Sequence, residues 1–509
     1  MKKKPNVLFI MTDQQRFDTI CALGNQKIYT PNLDRLVRRG ASFSNAHSAC
    51  PVCLPARYTI RTGCDSPTTR AFQNRVSDPA KDQAEKIEER CGQYIGKEMK
   101  SLGYRTFGIG KFHSSKWDED LGYDVHLHSE ETYSNEDQRK RDNYAKWIRE
   151  NHSQYIFIEN LMGERTEMYY QPQQSQLPAE LGVENWAAEQ AVEQITIKDD
   201  KPYFGLVSFV GPHPPLAPPI PFNRMYNPEN MDKPIKTDKN VDFLDEQITY
   251  MNQMIWAEDI PDPHVRILKA RYYGEISYID QCLGKILDAV EKQEDADNTV
   301  ICFFTDHGDN FGDHHAWQKE CFFDSCMKIP YLVSWPKEVS GDSRCDALVG
   351  LSDLFGIATK AAGQIELREG VDVLGILDKS SGEREIQFGY YGLPGTSLYK
   401  IMARTKDWKY IYLANGGREL FFDMKNDPNE TINLIDQENE IKNTLKQAAL
   451  KKTKHPGLID ALDEKSKFLK FDFKERPKGR FRQFDNSREV YDFPEKPEDA
   501  LLNYKKPTL

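Results

Sequence analysis

Lys4-Pro5-Asn6-Val7-Leu8-Phe9-Ile10-Met11-Thr12-Asp13-Gln14 is a short apolar run that ends on an acid and an amide. A run with so little polar alternation is predicted to be a strand buried on both faces, as in a parallel sheet covered by helices. Three later stretches repeat the plan. Tyr104-Arg-Thr-Phe-Gly-Ile-Gly110 ends at Lys111-Phe112-His113, Tyr203-Phe-Gly-Leu-Val-Ser-Phe-Val210 at Gly211-Pro212-His213, and Thr299-Val-Ile-Cys-Phe-Phe304 at Thr305-Asp306-His307-Gly308-Asp309. Helical patterns at 31–40, 93–102, 184–195 and 271–287 alternate with them. The fold class is therefore α/β, a large, mostly parallel mixed sheet flanked by helices, in which ligands bind at the carboxyl ends of the strands.

Working outward, 328–335 reads as a further strand and 351–362 as a helix, completing a domain over residues 1–372. Within it, 114–200 is polar, tyrosine-rich and poorly periodic, and is read as an insertion over the site. After Asp372 the pattern changes. Ile386-Gln-Phe-Gly-Tyr-Tyr391, Lys400-Ile-Met-Ala-Arg404, Trp408-Lys-Tyr-Ile-Tyr-Leu413 and Glu419-Leu-Phe-Phe-Asp423, separated by turn residues such as Asn415-Gly416-Gly417, predict a small antiparallel sheet. A helix at 437–452 would cover it, giving an α+β subdomain over 373–463. Residues 464–509 form a charged, extended tail, read as a solvated arm.

A chain of 509 residues holds such a pair of units with ample core, and a net charge of -11 argues against a nucleic-acid surface. Against that background a local basic cluster points to an anionic ligand. The basic Met1-Lys-Lys-Lys start leads into an apolar run too short for a signal peptide, and no stretch is long and apolar enough to cross a bilayer, so no membrane role is expected. The ten cysteines are irregularly spaced and several sit in apolar runs, which suits reduced thiols. The expectation is a cytoplasmic protein, or a periplasmic one had a signal been removed. Association into a homo-oligomer is left open.

Chemistry concentrates where Cys50-Pro-Val-Cys53-Leu-Pro55-Ala-Arg57 opens a helix that closes on Thr62-Gly63. A helix start favours an anion, and Cys53 and Arg57, four apart, share a face. The strand ends add Asp13, Gln14, Lys111, His113, His213, Asp306 and His307, with Lys319 in the loop after the last strand. Two carboxylates, an amide oxygen and an imidazole make a divalent-metal site, while two lysines and Arg57 neutralise an oxyanion. Singly, each residue has a plain structural reading: an Asp after a buried strand is often a cap, and a His between prolines can simply pack. The C-x-x-C of Cys50 and Cys53 has no second pair to complete a zinc site. Gly108-Ile-Gly-Lys111 fails as a phosphate loop, since Arg105 stands where the leading Gly belongs and Phe112 where Ser or Thr belongs.

In combination the motifs resemble the sulfatase family of the alkaline-phosphatase superfamily over residues 5–434. The likeness includes Cys53-Leu-Pro-Ala-Arg57 with Thr62-Gly63, Thr30-Pro-Asn-Leu-Asp-Arg-Leu36, Gly110-Lys-Phe-His113, Pro212-His-Pro214, Thr305-Asp-His-Gly-Asp309, Lys328-Ile-Pro330 and Leu420-Phe-Phe-Asp-Met-Lys-Asn-Asp-Pro428. The resemblance implies that a maturation enzyme oxidises Cys53 to formylglycine. Of the two hydroxyls of its hydrate, one attacks sulfur in line; the other then loses its proton and expels sulfate. It further implies that Asp13, Gln14, Asp306 and His307 hold one divalent metal with the modified Cys53. Arg57 and His113 would orient and ionise the hydrate, Lys111 and Lys319 clamp the sulfate, and His213 protonate the leaving oxygen.

Two departures matter. Many relatives present paired aspartates where this chain has Asp13-Gln14, and Asp-Asn where it has Asp306-His307, which leaves Ca²⁺ first and Mn²⁺ open. The same variants resemble the phosphonate and phosphate ester hydrolase branch. The expected activity is release of sulfate from a sulfated substrate, a carbohydrate by preference, with a phosphonate or phosphate ester as the alternative. A non-catalytic carbohydrate-binding protein with unconverted Cys53 is the alternative of another class.

Overall fold

The structure, a computed structural model, describes residues 3–74, 87–130, 140–155, 170, 172–237 and 260–474. Its main sheet has eight strands in the order β4 (Val125–His128), β3 (Arg105–Gly110), β5 (Tyr203–Ser208), β1 (Asn6–Thr12), β6 (Thr299–Thr305), β7 (Tyr331–Ser334), β2 (Ala41–His47) and β8 (Ser343–Gly350). Only β7 runs against its neighbours; the other pairings are parallel.

The opening run occupies the middle of this sheet and is buried along its whole length. Because side chains alternate across a strand, it feeds two cores at once. Val7, Phe9 and Met11 pack with the helices Cys53–Thr62, Ile95–Ser101 and Asp353–Ala361. Leu8 and Ile10 pack on the opposite face with Pro31–Arg39, Val183–Ile195 and the thirty-residue helix Asp262–Glu291. Pairing of Val7 with both Phe204 of β5 and Val300 of β6 sets the register, so the neighbouring strands end level with β1. The helix 183–195, read in sequence as part of an insertion over the site, instead builds this second layer.

Four more strands form a separate antiparallel sheet in the order β12 (Arg418–Asp423), β11 (Trp408–Leu413), β10 (Lys400–Arg404) and β9 (Gln387–Tyr391). One face, with Tyr390, Ile401, Tyr410 and Phe421, is covered by the helix Glu440–Thr453 through Leu445 and Ala449. The other face, with Tyr391, Met402, Ile411 and Phe422, packs on Cys50, Val52, Cys321 and Phe322, which lie in the segments flanking Cys53 and Lys319. The helix Val373–Leu377 packs with the first large layer through Val373 and Leu374, so the change of architecture falls at β9.

A buried polar cluster seals the contact between the two sheets. Asp324 accepts from Arg404 Nη1 at 2.8 Å and Lys409 Nζ at 2.5 Å, and Glu430 accepts from Lys409 Nζ at 2.7 Å. His47 Nε2 lies 2.6 Å from Arg404 Nη1, and its Nδ1 3.1 Å from Gln387 Oε1. Burial and the adjacent Arg404 hold that imidazole neutral. The described start of the tail does not run into solvent: Phe471 bridges to Asn415, and Phe468 stacks on Tyr412. The rest of the tail lies outside the described residues.

Among the described residues no helix is long and apolar enough to cross a membrane. All ten cysteines are described and none is paired.

Candidate active site

β3, β5, β1 and β6 are contiguous and parallel, so their carboxyl ends bring four loops to one place. The ladders extend past the strands: Phe209 N donates to Met11 O at 2.8 Å, Lys111 N to Ser208 O at 2.9 Å and Asp13 N to Gly211 O at 3.1 Å. Gly110, at φ 99°, sits where a Cβ would fall 2.0 Å from Ser208 O, so only glycine lets β3 approach β5 as it hands over to Lys111. Two non-glycine site residues, Gln14 at φ 64° and His113 at φ 47°, occupy the left-handed region, a strain of about 1–3 kcal/mol each that a surrounding structure must hold in place.

The helix Cys53–Thr62 aims its N-terminus at this convergence, with Cys53 in its first position and Gly63 at φ 66° closing it. All ten of its residues are buried. Around Cys53 Sγ stand Lys319 Nζ at 2.7 Å, His307 Nε2 at 3.2 Å and Asp13 Oδ1 at 3.8 Å. Lys319 Nζ also reaches Gln14 Oε1 at 3.1 Å and His213 Nε2 at 3.2 Å. Arg57 lies behind the carboxylates, 2.8 Å from Asp13 Oδ2 and 3.3 Å from Asp306 Oδ2, and is tied by Nη1 to Lys111 O and Ser208 Oγ. Lys111 Nζ is 2.7 Å from Asp13 Oδ2. The structure thus gathers every residue singled out in the sequence, with one difference of placement: Lys111 and Arg57 face the carboxylates, whereas Lys319 Nζ is hydrogen-bonded to the Cys53 sulfur.

The charge balance follows from these contacts. Burial pushes the Cys53 thiol up, but Lys319, His307 and Lys111 with a hydrogen bond from His113 outweigh it and hold the thiol well below its usual range. At Cys50, three residues earlier, burial outweighs the opposing pulls of Ser66 and Lys400, and the thiol is pushed up. Burial and the Cys53 sulfur also oppose ionisation of Asp13, yet Lys111, His213 and Arg57 hold its carboxyl low. Asp306 is raised by burial and by the charge of Asp13.

Asp13, Cys53, Asp306 and His307 each offer a donor atom, all within 4.8 Å of one another. His307 Nδ1 lies 2.9 Å from Gly308 O, so Nδ1 donates there and Nε2 is the nitrogen that faces the cluster; without a bound cation, Asp306 and the Cys53 sulfur raise this imidazole against burial. Gln14 is oriented in the same sense: Nε2 donates to Asp309 Oδ2 at 2.6 Å and to Tyr170 OH at 3.2 Å, which turns Oε1 inward. Two carboxylates, an amide oxygen and an imidazole lone pair converging on one buried point fit a divalent cation by donor chemistry.

Several supporting residues escaped the sequence. Asp309 is the hub of the loops: besides Gln14 and Tyr170 it accepts from Phe311 N at 2.8 Å and Gln318 N at 3.1 Å. Its place in Asp306-His-Gly-Asp309 was a signal; its role was not. Glu130 accepts from Phe112 N at 3.1 Å and His113 N at 2.6 Å, pinning the strained His113. Burial opposes its charge, but His128, His113 and Lys111 hold it down at about 2. Glu184 accepts from Gly211 N at 2.7 Å and Val210 N at 3.2 Å, fixing the loop of His213. Burial pushes Glu184 up to about 7 and, with the charge of Glu184 added, Glu275 up to about 8. Nothing in the local sequence marks Glu130 or Glu184, which come from the inserted segment.

A mixed sheet thus gathers buried cations and a candidate metal cluster at its strand ends. The Sulfatase family model matches residues 5–364, and a second model, N-sulphoglucosamine sulphohydrolase, C-terminal, matches residues 312–455. The chain belongs to the sulfatase family, hydrolases of sulfuric esters. It is similar to an arylsulfatase of Clostridium perfringens, 28% identical over 452 residues that cover 86% of this chain and 91% of that protein. Among solved structures, the phosphonate monoester hydrolase of Agrobacterium radiobacter matches with a TM-score of 0.74 at 20% identity, covering 91% of this chain and 99% of its own. BT4656 in complex with its substrate D-glucosamine-2-N,6-O-disulfate matches with a TM-score of 0.65 at 18% identity, covering 89% and 98%.

Proposed function

We propose that this sulfatase hydrolyses a sulfate ester of a carbohydrate, with formylglycine made from Cys53 and one divalent cation. The observation that carries the reading is the position of Lys319, whose Nζ lies 2.7 Å from Cys53 Sγ and 3.2 Å from His213 Nε2. A nucleophile position, a cation for the transferring oxyanion and an imidazole thereby surround one point.

Asp13, Gln14, Asp306 and His307 would hold the cation with converted Cys53; bound there, it supplies Lewis-acid chemistry that lowers the pKa of a hydroxyl. Oxygen donors favour Ca²⁺, and the imidazole leaves Mn²⁺ open. Once the maturation enzyme, with an external oxidant, had converted Cys53 to formylglycine with loss of its sulfur, the hydrate would supply two hydroxyls at this position, one for attack on the sulfate ester and one whose deprotonation would release sulfate. Arg57 neutralises the inner carboxylate oxygens and fixes their orientation. His113 lies at the same centre and favours the ionised form of the Cys53 side chain. Lys319 and Lys111 bind sulfate oxygens as charge shifts onto the leaving group, a form of stabilisation worth about 10²–10³-fold per donor. His213 donates Nδ1–H to Pro214 O at 2.8 Å, which leaves Nε2 facing Lys319 Nζ and the site, placed to relay a proton to the leaving oxygen.

The C-terminal model's name, N-sulphoglucosamine sulphohydrolase, and the sugar disulfate substrate of BT4656 support a carbohydrate. The second reading, a phosphonate or phosphate ester, is favoured by the Gln14 and His307 donors and by the likeness to the Agrobacterium radiobacter enzyme. A panel of sulfated mono- and oligosaccharides beside an aryl sulfate and a phenyl phosphonate separates them, with released sulfate and phosphonate measured. Fastest release from a sulfated saccharide is expected; preference for the phosphonate overturns the assignment. Intact mass of the Cys53 peptide, after production with the maturation enzyme, tests the non-catalytic alternative.

A further inference from the structure

We infer that the C-terminal sheet is part of the catalytic apparatus, because two of its buried lysines, Lys400 and Lys409, hold the loop that positions Lys319. Lys400, 1% exposed, donates from Nζ to Glu320 O at 2.8 Å; Lys409, fully buried, donates from Nζ to Phe322 O at 2.8 Å. These carbonyls lie one and three residues beyond Lys319. The inference rests on the oxyanion-binding role proposed for Lys319.

The loop needs such anchors. Gln318 and Glu320, on either side of Lys319, sit at φ 66° and 79°, a conformation side chains other than glycine adopt only when their surroundings over-determine it. The main domain holds one half: Asn310 N and Nδ2 donate to Gln318 O at 2.8 and 2.9 Å, and Asp309 Oδ1 accepts from Gln318 N. On the far side of Lys319, Glu320 N reaches Pro51 O at 3.0 Å, and the carbonyls after it are taken by β10 and β11. Lys319 is thus strung between the two sheets. The same face of the small sheet packs Tyr391, Met402 and Phe422 against Cys321, Phe322 and Phe323, so the anchors sit in a buried apolar contact.

Ammonium groups suit the task better than apolar side chains. A buried charge costs several kcal/mol unless it is well paired, and Met or Leu would fill the same space without that cost. A main-chain carbonyl hydrogen-bonded to a charged donor is held more tightly than by a neutral one. Misplacement of a catalytic group by about 1 Å can lower a rate about 10²-fold. Lys400 and Lys409 are therefore positioning residues: they act through Lys319 and touch no substrate.

A double-mutant cycle on the full-length, metal-loaded enzyme tests this, run on whichever of an aryl sulfate or phenyl phosphonate the wild-type protein turns over. Preference for phosphonate would overturn the sulfate reading and leave this test intact, since the lysine serves either oxyanion. Lys400→Met is expected to lower kcat about 10-fold or more with KM little changed, and to cost less than about twofold once Lys319→Ala is present. Lys400→Gln, which keeps an N–H donor, is expected to show the same coupling with a smaller loss, and stands in should the Met variant not fold. Equal factors in both backgrounds, an unchanged kcat, or failure of both variants to fold would assign Lys400 to stability alone and overturn the inference.

Discussion

Among the buried charge clusters of the described residues, the one around Cys53 at the strand ends and the one around Asp324 beneath the C-terminal sheet differ in balance. Around Asp324, the cations Arg404 and Lys409 meet the acids Asp324 and Glu430, the second pushed up to about 7 by burial and Asp324, and His47 is kept neutral. Around Cys53, Arg57, Lys111 and Lys319 face Asp13 and Asp306, of which Asp306 is pushed towards its neutral form. A closed set of pairs holds structure together. Around Cys53 part of the balance comes from the sulfur that the cations hold ionised, so conversion of that residue would leave a cation surplus for an outside anion to complete, and this separates a site from a seam.

The comparison breaks if removing the centre of the catalytic cluster destabilises the protein instead of silencing it. Cys53→Ala is expected to lower ester hydrolysis on the order of 10⁴-fold or more without lowering Tm, read by released sulfate and by thermal unfolding of the same preparation. A comparable fall in Tm would place Cys53 among the structural thiols with Cys50. Lys319→Ala follows at about 10²–10³-fold in kcat. Because it removes one of the surplus cations, its Tm should stay level or rise; a marked fall would make the cluster a seam like the other.

The seam responds in the opposite way. Asp324→Asn leaves Arg404 and Lys409 buried without their shared acid and is expected to cost about 3–5 kcal/mol in urea unfolding, while molecules that remain folded keep their affinity for metal. Lys409 and Arg404 hold the Asp324 carboxyl well below its ordinary 3.8, against burial. A depressed carboxylate contributes stability above its ordinary value and loses it as pH falls below, so wild-type protein should lose its advantage over the Asn variant below about pH 4. A gap independent of pH would show that the pair contributes nothing through its charge.

Most of the site and the sheet's central strands were legible in the sequence because each is an unbroken apolar run, and a buried strand must deliver whatever follows it to the sheet's carboxyl edge. The strands that escaped are β2, β4 and β8, such as Ala41-Ser-Phe-Ser-Asn-Ala-His47, which lie at or next to the edges and carry polar residues that mask a period of two. All four meander strands were readable for their alternation and turns. Hidden were the contacts that depend on distant chain segments: Asp309 to Gln14, Glu130 to His113, Lys400 to the loop of Lys319. Their side chains are ordinary charges by local rules, and only the fold gives them partners.

A third group of buried charge refines the contrast, since it is balanced by neither pairing nor an outside ligand. Glu275 lies beside Glu184 under the His213 loop, and its Oε2 is buried with no hydrogen-bond partner among the described residues. Burial and Glu184 push it from an ordinary 4.5 up to about 8. Between those values the folded protein takes up a proton that the unfolded chain does not, so stability falls as pH rises from about 4.5 to about 8 and levels off beyond. Glu275→Gln keeps the shape without the charge. Its Tm should match wild type near pH 5 and exceed it by a few degrees near pH 8, with kcat unaltered because the substituted group touches neither Cys53 nor the oxyanion cations. Parallel Tm curves would mean that Glu275 finds a counter-charge, and that an unpaired carboxyl, like a cation surplus, does not survive in this interior unless chemistry requires it.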